Sequence, residues 1–446
     1  MMKKVFISVI LIFFILNIFS QDWKTYPYIP NKDSKVLFPL DEGRHEKEKM
    51  EWWYTTGHVV GQTTGKHYTY MLTYFYYPYG KIDGFRILNI SDDDEKVFYD
   101  EAKFLNYTTM ATDKLDIEAK IYKAHTETWK NKYKDNKIVP FEYKIKAKSD
   151  KVTLDLDYVT TKRPLILSED GYLLQGSDSY TYYYSQTGIT ANGTITFNGV
   201  TEKIKGTSWI DRQYGNLSPQ NGTKYEWFSL QLSNNMDINL WNIFAEGNKV
   251  PNNEKFRILS AYVDEDIQYT NSDFKLERLA FEYTEDKGRC YAKKWKLTSD
   301  VNKLDLIIST LYSDSEVQSP FQFYEGATKI TGTVNGKDVT GYGFAELLHT
   351  YKNPELAITN QEYWNKKTPI EWQIINPDDA LTLHFNIEYS TDNKATYQSL
   401  AKNISNTSYL WNKKFKKESS IWFKITASSN DSTLLGTTEK QLIYKK

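Results

Sequence analysis

The sequence predicts an all-β protein with several domains. Aromatic residues are abundant, since 35 Tyr, 22 Phe and 12 Trp make up 15% of the chain, and such side chains suit the half-buried surface of a sheet. Apolar and polar residues alternate in many short runs, such as residues 381–389, whereas a 3.6-residue period is not sustained after residue 20. At 446 residues, the chain exceeds one ordinary domain.

The first twenty residues are typical of an export signal. Two lysines precede an apolar run at residues 5–19, and the small residue Ser20 follows. This run is shorter than the roughly 20 apolar residues that a membrane-spanning helix needs. We therefore expect a protein that is secreted, periplasmic or held at the cell envelope, with an uncleaved membrane anchor as the alternative. The single cysteine, Cys290, excludes an internal disulfide.

Charge and motif content exclude several classes of function. The chain has 56 basic and 57 acidic residues, so we expect neither a nucleic-acid partner nor attraction to anionic membranes. No glycine-rich phosphate loop and no G-x-S-x-G motif is present. The histidines lack the spacing of a metal site. We accordingly predict no cofactor and no bound metal.

A short internal repeat indicates two related domains. The triplets E-W-W at residues 51–53 and E-W-F at residues 226–228 each open a strand, a turn and a second aromatic strand. We expect a linker at residues 21–44, one β-domain at residues 45–200 and a second at residues 201–355. Short strands at regular spacing in residues 356–446 resemble a fibronectin type III or immunoglobulin-like sandwich.

The stretch M-E-W-W-Y-T-T-G-H begins the first β-domain. In a strand, Glu51 and Trp53 point to one face, while Trp52 and Tyr54 point to the other. In a structural interpretation, the tryptophans fill the core and Glu51 forms an ion pair. In a functional interpretation, Glu51 lies in a water-poor cavity that raises its pKa, so that it can act as a general acid.

A second cluster, G-T-S-W-I-D-R-Q-Y-G, occupies residues 206–215. One face carries Trp209, Asp211 and Gln213, and the other carries Ile210, Arg212 and Tyr214. Asp211 is a candidate acid or base with Arg212 as its orienting cation, although an Asp–Arg network that fixes a strand end fits equally well. A third stretch, residues 225–232, places Trp227, Ser229 and Gln231 on one face, which we expect to line a cavity.

Four stretches, at residues 51–58, 206–215, 226–232 and 323–347, resemble successive landmarks of the AttH and CrtC family, which includes carotenoid 1,2-hydratase. The resemblance covers roughly residues 45–352 and implies two tandem lipocalin-like β-barrel domains around an apolar, often isoprenoid, ligand. The contact residues that we expect are Trp52, Trp53, Tyr54, Trp209, Gln213, Tyr214, Trp227 and Gln231.

The chain departs from the family pattern at two positions. Many members have His where this chain has Arg212, and Tyr214 replaces a Trp. Arginine does not exchange protons near neutral pH. Three functions stay open. The first is a protein that binds an apolar ligand, and the second is a hydratase, or a related lyase or isomerase, with Glu51 or Asp211 as proton donor. The third is an envelope interaction protein that binds a partner through residues 368–446.

Overall fold

The computed structural model describes residues 23–122, 124–217, 223–285, 288–312 and 314–445, which are almost entirely β. The all-β prediction is confirmed. The predicted export signal at residues 1–20 lies outside the described residues. Within these ranges, no helix is long and apolar enough to cross a membrane, and the short 3-10 helices are Leu40–Glu42 and Glu246–Asn248.

The first sheet is a closed barrel. Its twelve strands are β1 (Met50–Gly61), β2 (His67–Tyr79), β3 (Ile82–Asp92), β4 (Val97–Met110), β5 (Asp116–Ile121), β6 (Thr126–Lys134), β7 (Lys137–Lys148), β8 (Val152–Thr160), β9 (Leu165–Ile166), β10 (Tyr172–Gln175), β11 (Ser179–Phe197) and β12 (Val200–Gly215). Neighbours from β1 to β8 pair in order, β12 joins β1 to β11, and β11 pairs with β8 to close the ring.

Strict alternation in β8 shows how the sequence produces this barrel. Leu154, Leu156 and Tyr158 are buried in its core. Between them, the solvent-side residues Asp155 and Asp157 form ion pairs with Lys144 of β7. The apolar face therefore drives closure, because burial of such side chains is the main favourable term in folding.

The structure differs from two expected boundaries. The expected second domain begins at residue 201, but β12 pairs with β1 and β11 and so completes the first barrel. The expected linker at residues 21–44 packs on the barrel from residue 23 onward, with Val36 and Phe38 buried beside Phe141. Both differences arise from pairing and packing between residues far apart in sequence.

The second sheet is an open half-barrel of ten strands. Its strands are β13 (Lys224–Leu232), β14 (Asp237–Phe244), β15 (Arg257–Tyr262), β16 (Gln268–Asn271), β17 (Lys275–Tyr283), β18 (Cys290–Ser299), β19 (Leu304–Thr310), β20 (Glu316–Val317), β21 (Phe323–Val334) and β22 (Lys337–Leu347). The order along the sheet is β16-β15-β14-β13-β22-β21-β19-β18-β17, with β20 beside β21. Here β13 pairs with β14 and β22, just as β1 pairs with β2 and β12.

The remaining strands form a C-terminal module of one three-stranded and one five-stranded sheet. They are β23 (Leu356–Ile358), β24 (Tyr363–Trp364), β25 (Ile370–Ile374), β26 (His384–Ser390), β27 (Gln398–Ile404), β28 (Ser408–Tyr409), β29 (Ser420–Ser428) and β30 (Leu435–Tyr444). The two sheets share a core around Trp364 and Phe423. The module also contacts the second sheet, because Asp431 accepts a hydrogen bond of 2.8 Å from the Phe281 N–H.

Candidate active site

A cavity of about 440 Å³ lies between the outer face of the first barrel and the second sheet. Its volume falls in the range of about 300–1,000 Å³ that is usual for small-molecule sites. Its apolar lining includes Trp52, Met71, Phe75, Ile87, Trp227 and Phe323. The cavity is therefore suited to an apolar ligand, and it is formed by the space between two sheets.

The barrel side of the cavity, here called the barrel wall, is centred on two rows of side chains that cross neighbouring strands. One row contains Thr73, Tyr54, Asp211 and Ser185, which are paired in register across β2, β1, β12 and β11. The next row contains Phe75, Trp52, Gln213 and Tyr183. Directly opposed side chains on one face are close neighbours. The predicted alternation in both clusters is thus correct, and Trp52, Tyr54, Asp211 and Gln213 line the cavity together.

Asp211 is the most deeply buried acid of this wall, with 3% of its surface exposed. Its Oδ1 accepts hydrogen bonds from Ser185 Oγ at 2.5 Å and from Trp209 Nε1 at 2.7 Å. Its Oδ2 accepts one from the Tyr183 hydroxyl at 2.6 Å. Burial raises the pKa of Asp211 to about 7, although these hydrogen bonds act to lower it. Asp211 can therefore gain and lose a proton near neutral pH.

The hydroxyl of Tyr183 connects Asp211 to the cavity. It donates to Asp211 and accepts from Nδ2 of Asn239 at 2.8 Å. Tyr183 itself lines the cavity. If Asp211 is protonated, its proton can be donated to the Tyr183 oxygen, and the hydroxyl hydrogen can then rotate toward a ligand.

Two buried side-chain atoms of the barrel wall have no hydrogen-bond partner among the described residues. They are Oε1 of Gln213, a residue only 1% exposed, and Oγ1 of Thr73. The Gln213 amide is held by its Nε2, which donates to Gln175 Oε1 at 3.0 Å. A buried acceptor without a donor is costly, so Gln213 is suited to a ligand that carries a hydroxyl group.

The opposite side, here called the sheet wall, is formed by Tyr225, Trp227, Trp241 and Glu346. Tyr225 donates a hydrogen bond to Glu346, and Tyr54 of the barrel wall donates one of 2.8 Å to Glu325. Glu325 and Glu346 are direct partners across β21 and β22. Burial raises the pKa of both groups, and the charge of Glu346 raises that of Glu325 further.

Tyr183, Tyr225, Glu325 and Glu346 were not among the predicted site residues. The sequence does hold a signal for three of them. Glu325 and Glu346 each lie in a short run of otherwise aromatic, apolar or small residues, F-Y-E-G-A at residues 323–327 and G-F-A-E-L at residues 343–347, and Tyr225 directly precedes the E-W-F triplet. Only the register between β21 and β22 brings the two glutamates together.

Glu51 faces the barrel interior, away from the cavity, and it is fully buried. It forms ion pairs with Arg44 and Arg212, and its Oε2 lies 3.2 Å from Nδ1 of His45. Burial alone would raise the pKa of Glu51, but the charge of Arg212 and the contacts with His45 and Arg44 lower it to about 2. The expectation that Glu51 is a proton donor in a cavity lacks geometric support, because its carboxylate is neutralised within a packed network.

Arg212 also lies on the interior face. Its guanidinium donates to the carbonyl oxygens of Gly43 and Trp52 and is 3.9 Å from the centre of the Trp53 ring. Strand alternation turns it away from Asp211, so the predicted role of Arg212 as the cation that orients Asp211 is wrong. Arg212 orients Glu51 instead.

The other predicted contact residues divide between the two faces. Inside the barrel, Nε1 of Trp53 donates a hydrogen bond of 2.9 Å to the Glu42 carbonyl oxygen. The ring of Tyr214 stacks on the ring of His45, and the two ring centres are 3.4 Å apart. Trp209 donates its hydrogen bond to Asp211. Gln231 donates to the Thr187 carbonyl oxygen where the two sheets are in contact. These four side chains are not part of the cavity lining, whereas Trp227 is.

The E-W repeat has the same geometry in both sheets. Glu226 forms a buried ion pair with Arg278, as Glu51 does with Arg212. Trp227 and Trp52, the residues that follow, both line the cavity. Each triplet thus anchors a glutamate within its own sheet and presents a tryptophan to the shared cavity.

Comparison with known proteins identifies the family. The model of the AttH-like family matches residues 29–351. The chain belongs to the AttH-like family. The C-terminal module lies beyond this match. In the described part of the chain, no group of His, Cys, Asp and Glu side chains has the arrangement of a metal site.

Relatives of this AttH-like chain are distant in sequence. It is 22% identical over 354 residues to the kievitone hydratase of Fusarium solani subsp. phaseoli, an alignment that covers 74% of this chain and 93% of the relative. A structure of a putative AttH from Nitrosomonas europaea superposes with a TM-score of 0.60 at 19% identity, covering 73% of this chain and 99% of that one. Kievitone hydratase from Nectria haematococca gives a TM-score of 0.58 at 18% identity, with coverages of 71% and 93%. These likenesses show a shared fold.

Proposed function

We propose that this AttH-like protein is a hydratase that binds an apolar, isoprenoid-type alkene between its two sheets and adds water to the double bond. One observation carries the proposal: Asp211, a buried acid with a pKa of about 7, lies on a largely apolar cavity beside Tyr183. The two kievitone hydratases to which the chain is similar support the same type of reaction.

The chemistry begins with proton donation from Asp211. A neutral carboxyl near pH 7 is a suitable general acid, since catalytic acids work best when their pKa is near the working pH. The proton passes through the Tyr183 hydroxyl to one alkene carbon and leaves a positive charge on the other. The faces of Trp52 and Trp227 on the two walls can stabilise that charge, because aromatic faces attract cations. The oxygen of water then bonds to the charged carbon and releases one proton, which balances the proton that Asp211 donated.

Hydration of geraniol, an isoprenoid alcohol, in water labelled with heavy oxygen tests the reaction. We expect a product that has gained the elements of one water molecule and carries the heavy isotope, detected by mass spectrometry. Geraniol is chosen because its hydroxyl group can donate a hydrogen bond to Oε1 of Gln213, which has no partner among the described residues. If geraniol binds, as judged by a rise in melting temperature, but is recovered unchanged, the protein is a binding protein and the hydratase proposal is wrong.

We also propose export through residues 1–20 and attachment to an envelope partner through the C-terminal module. The observation that favours attachment is that the module lies outside the family match at residues 29–351. In fractionated cells, the full chain should be found with the envelope, and a chain without residues 368–446 should be exported but unattached. Because Asp431 and Asn430 bond to the second sheet, the melting temperature of the shortened chain must be measured as well. Recovery of the full chain in the cytoplasm would refute both proposals.

A further inference from the structure

Glu325 and Glu346 form a carboxyl pair across the cavity from Asp211. They occupy opposed positions on β21 and β22, and 1% of Glu325 is exposed, while Glu346 lines the cavity. Two carboxyl groups that face each other in a buried place cannot both be ionised without a large cost. One proton shared by the pair removes this repulsion and leaves a single negative charge.

The surrounding hydrogen bonds indicate where that proton resides. Oε1 of Glu325 accepts from Tyr54, but its Oε2 is buried without a donor among the described residues. Burial and the charge of Glu346, its cross-strand partner, raise the pKa of Glu325 well above its ordinary value. Tyr225 donates a further hydrogen bond to Glu346. Glu325 is thus the protonated member, and Glu346 is the carboxylate that faces the cavity.

An independent feature indicates a ligand between these acids and Asp211. Gln213 is 1% exposed, its Oε1 has no partner in the described part of the chain, and it lines the same cavity. The charge of Glu346 contributes to the raised pKa of Asp211, so the two groups belong to one site. Tyr54 completes the link, because it is the cross-strand neighbour of Asp211 and donates to Glu325.

We propose that Glu346 is the general base of the hydration, with Glu325 as the proton-sharing residue that positions it. This inference rests on the proposed hydratase function. Asp211 donates a proton through Tyr183 to one alkene carbon, the oxygen of water bonds to the other, and the released proton of that water passes to Glu346. One water is added in total, and the proton returns from Glu346 to Asp211 through solvent between turnovers.

The test compares Glu346→Gln and Glu325→Gln in the full chain with geraniol as the probe. Glutamine at 346 cannot accept a proton, so the hydration rate should fall by a factor of about 100 or more, while geraniol still raises the melting temperature. Glutamine at 325 retains a donor for Glu346, so its rate should fall by less than about tenfold. The exposed residue Glu371 provides a matched control, since Glu371→Gln should leave the rate unchanged.

Infrared spectroscopy provides a second readout that does not depend on turnover. The difference spectrum between the wild type and Glu325→Gln should contain the carbonyl band of a protonated carboxylic acid. Absence of that band, or a Glu346→Gln variant that hydrates geraniol at the wild-type rate, would overturn the inference and leave the hydratase proposal intact. If the wild type itself fails to hydrate geraniol, the hydratase proposal fails first and the role of Glu346 fails with it.

Discussion

Replacement of Asp211 by asparagine is expected to lower the hydration rate by a factor of about 100 or more. Asparagine cannot donate the proton that the alkene needs, but its oxygen can still accept from Ser185 and Trp209, which bond to Oδ1 of Asp211. Ligand binding should therefore be retained. Single-turnover kinetics with geraniol would measure the rate, and the ligand-dependent rise in melting temperature would measure binding.

Asp237 offers a matched control for this substitution. It is buried in the second sheet and paired with Lys162, and it is outside the cavity lining. Asp237→Asn should leave the hydration rate unchanged. A wild-type rate in Asp211→Asn would show that Asp211 is structural.

The same residue sets the expected pH dependence. Because Asp211 must be protonated to act as the acid, the rate should fall as pH rises through about 7. The folded-state pKa lies above the ordinary value of 3.8, so the stability that neutral Asp211 contributes is complete below that value and is lost as pH rises toward 7. Asp211→Asn should remove this part of the pH dependence of the free energy of unfolding.

Replacement of Glu51 by glutamine is expected to have the largest effect on stability. The change leaves the buried guanidinium groups of Arg44 and Arg212 without their carboxylate, and loss of one partner of a buried ion pair costs about 3–5 kcal/mol. Urea denaturation should show that decrease in the free energy of unfolding. The hydration rate per folded molecule should stay close to that of the wild type, because the Glu51 side chain points into the barrel and is not part of the cavity lining.

Glu118 provides the comparison for Glu51, since its ion pair with Lys130 is partly exposed. Glu118→Gln should change the free energy of unfolding by no more than about 1 kcal/mol. The pKa of Glu51 is lowered to about 2 from its ordinary value of 4.5. Its stabilising contribution is therefore present above pH 4.5 and is lost as pH falls toward 2. A stable but inactive Glu51→Gln variant would contradict the structural role.

The sequence predicted which side chains share a face, and the structure shows why it could not predict what each face meets. Alternation correctly separated Trp52 and Tyr54 from Glu51 and Trp53. A period of two residues defines two faces without saying which one faces the barrel interior. Since the cavity lies outside the barrel, the two predicted acids, Glu51 and Asp211, point in opposite directions.

Long-range pairing accounts for the remaining differences. The turn at Asn198 and Gly199 is compatible with a domain boundary, yet the strand that follows it returns to β1. The Glu325–Glu346 pair likewise depends on the register between β21 and β22. Such contacts are fixed by the closed sheet and by the packing of one sheet on the other, neither of which is encoded in a local pattern.

The location of the bound ligand tests the central claim most directly. A crystal structure of the protein with brominated geraniol would locate the bromine by its anomalous scattering. We predict a bromine position between Trp52 and Trp227, within reach of the Asp211 and Tyr183 side chains that line the same cavity. A bromine inside the first barrel beside Glu51 and Arg212 would contradict this account.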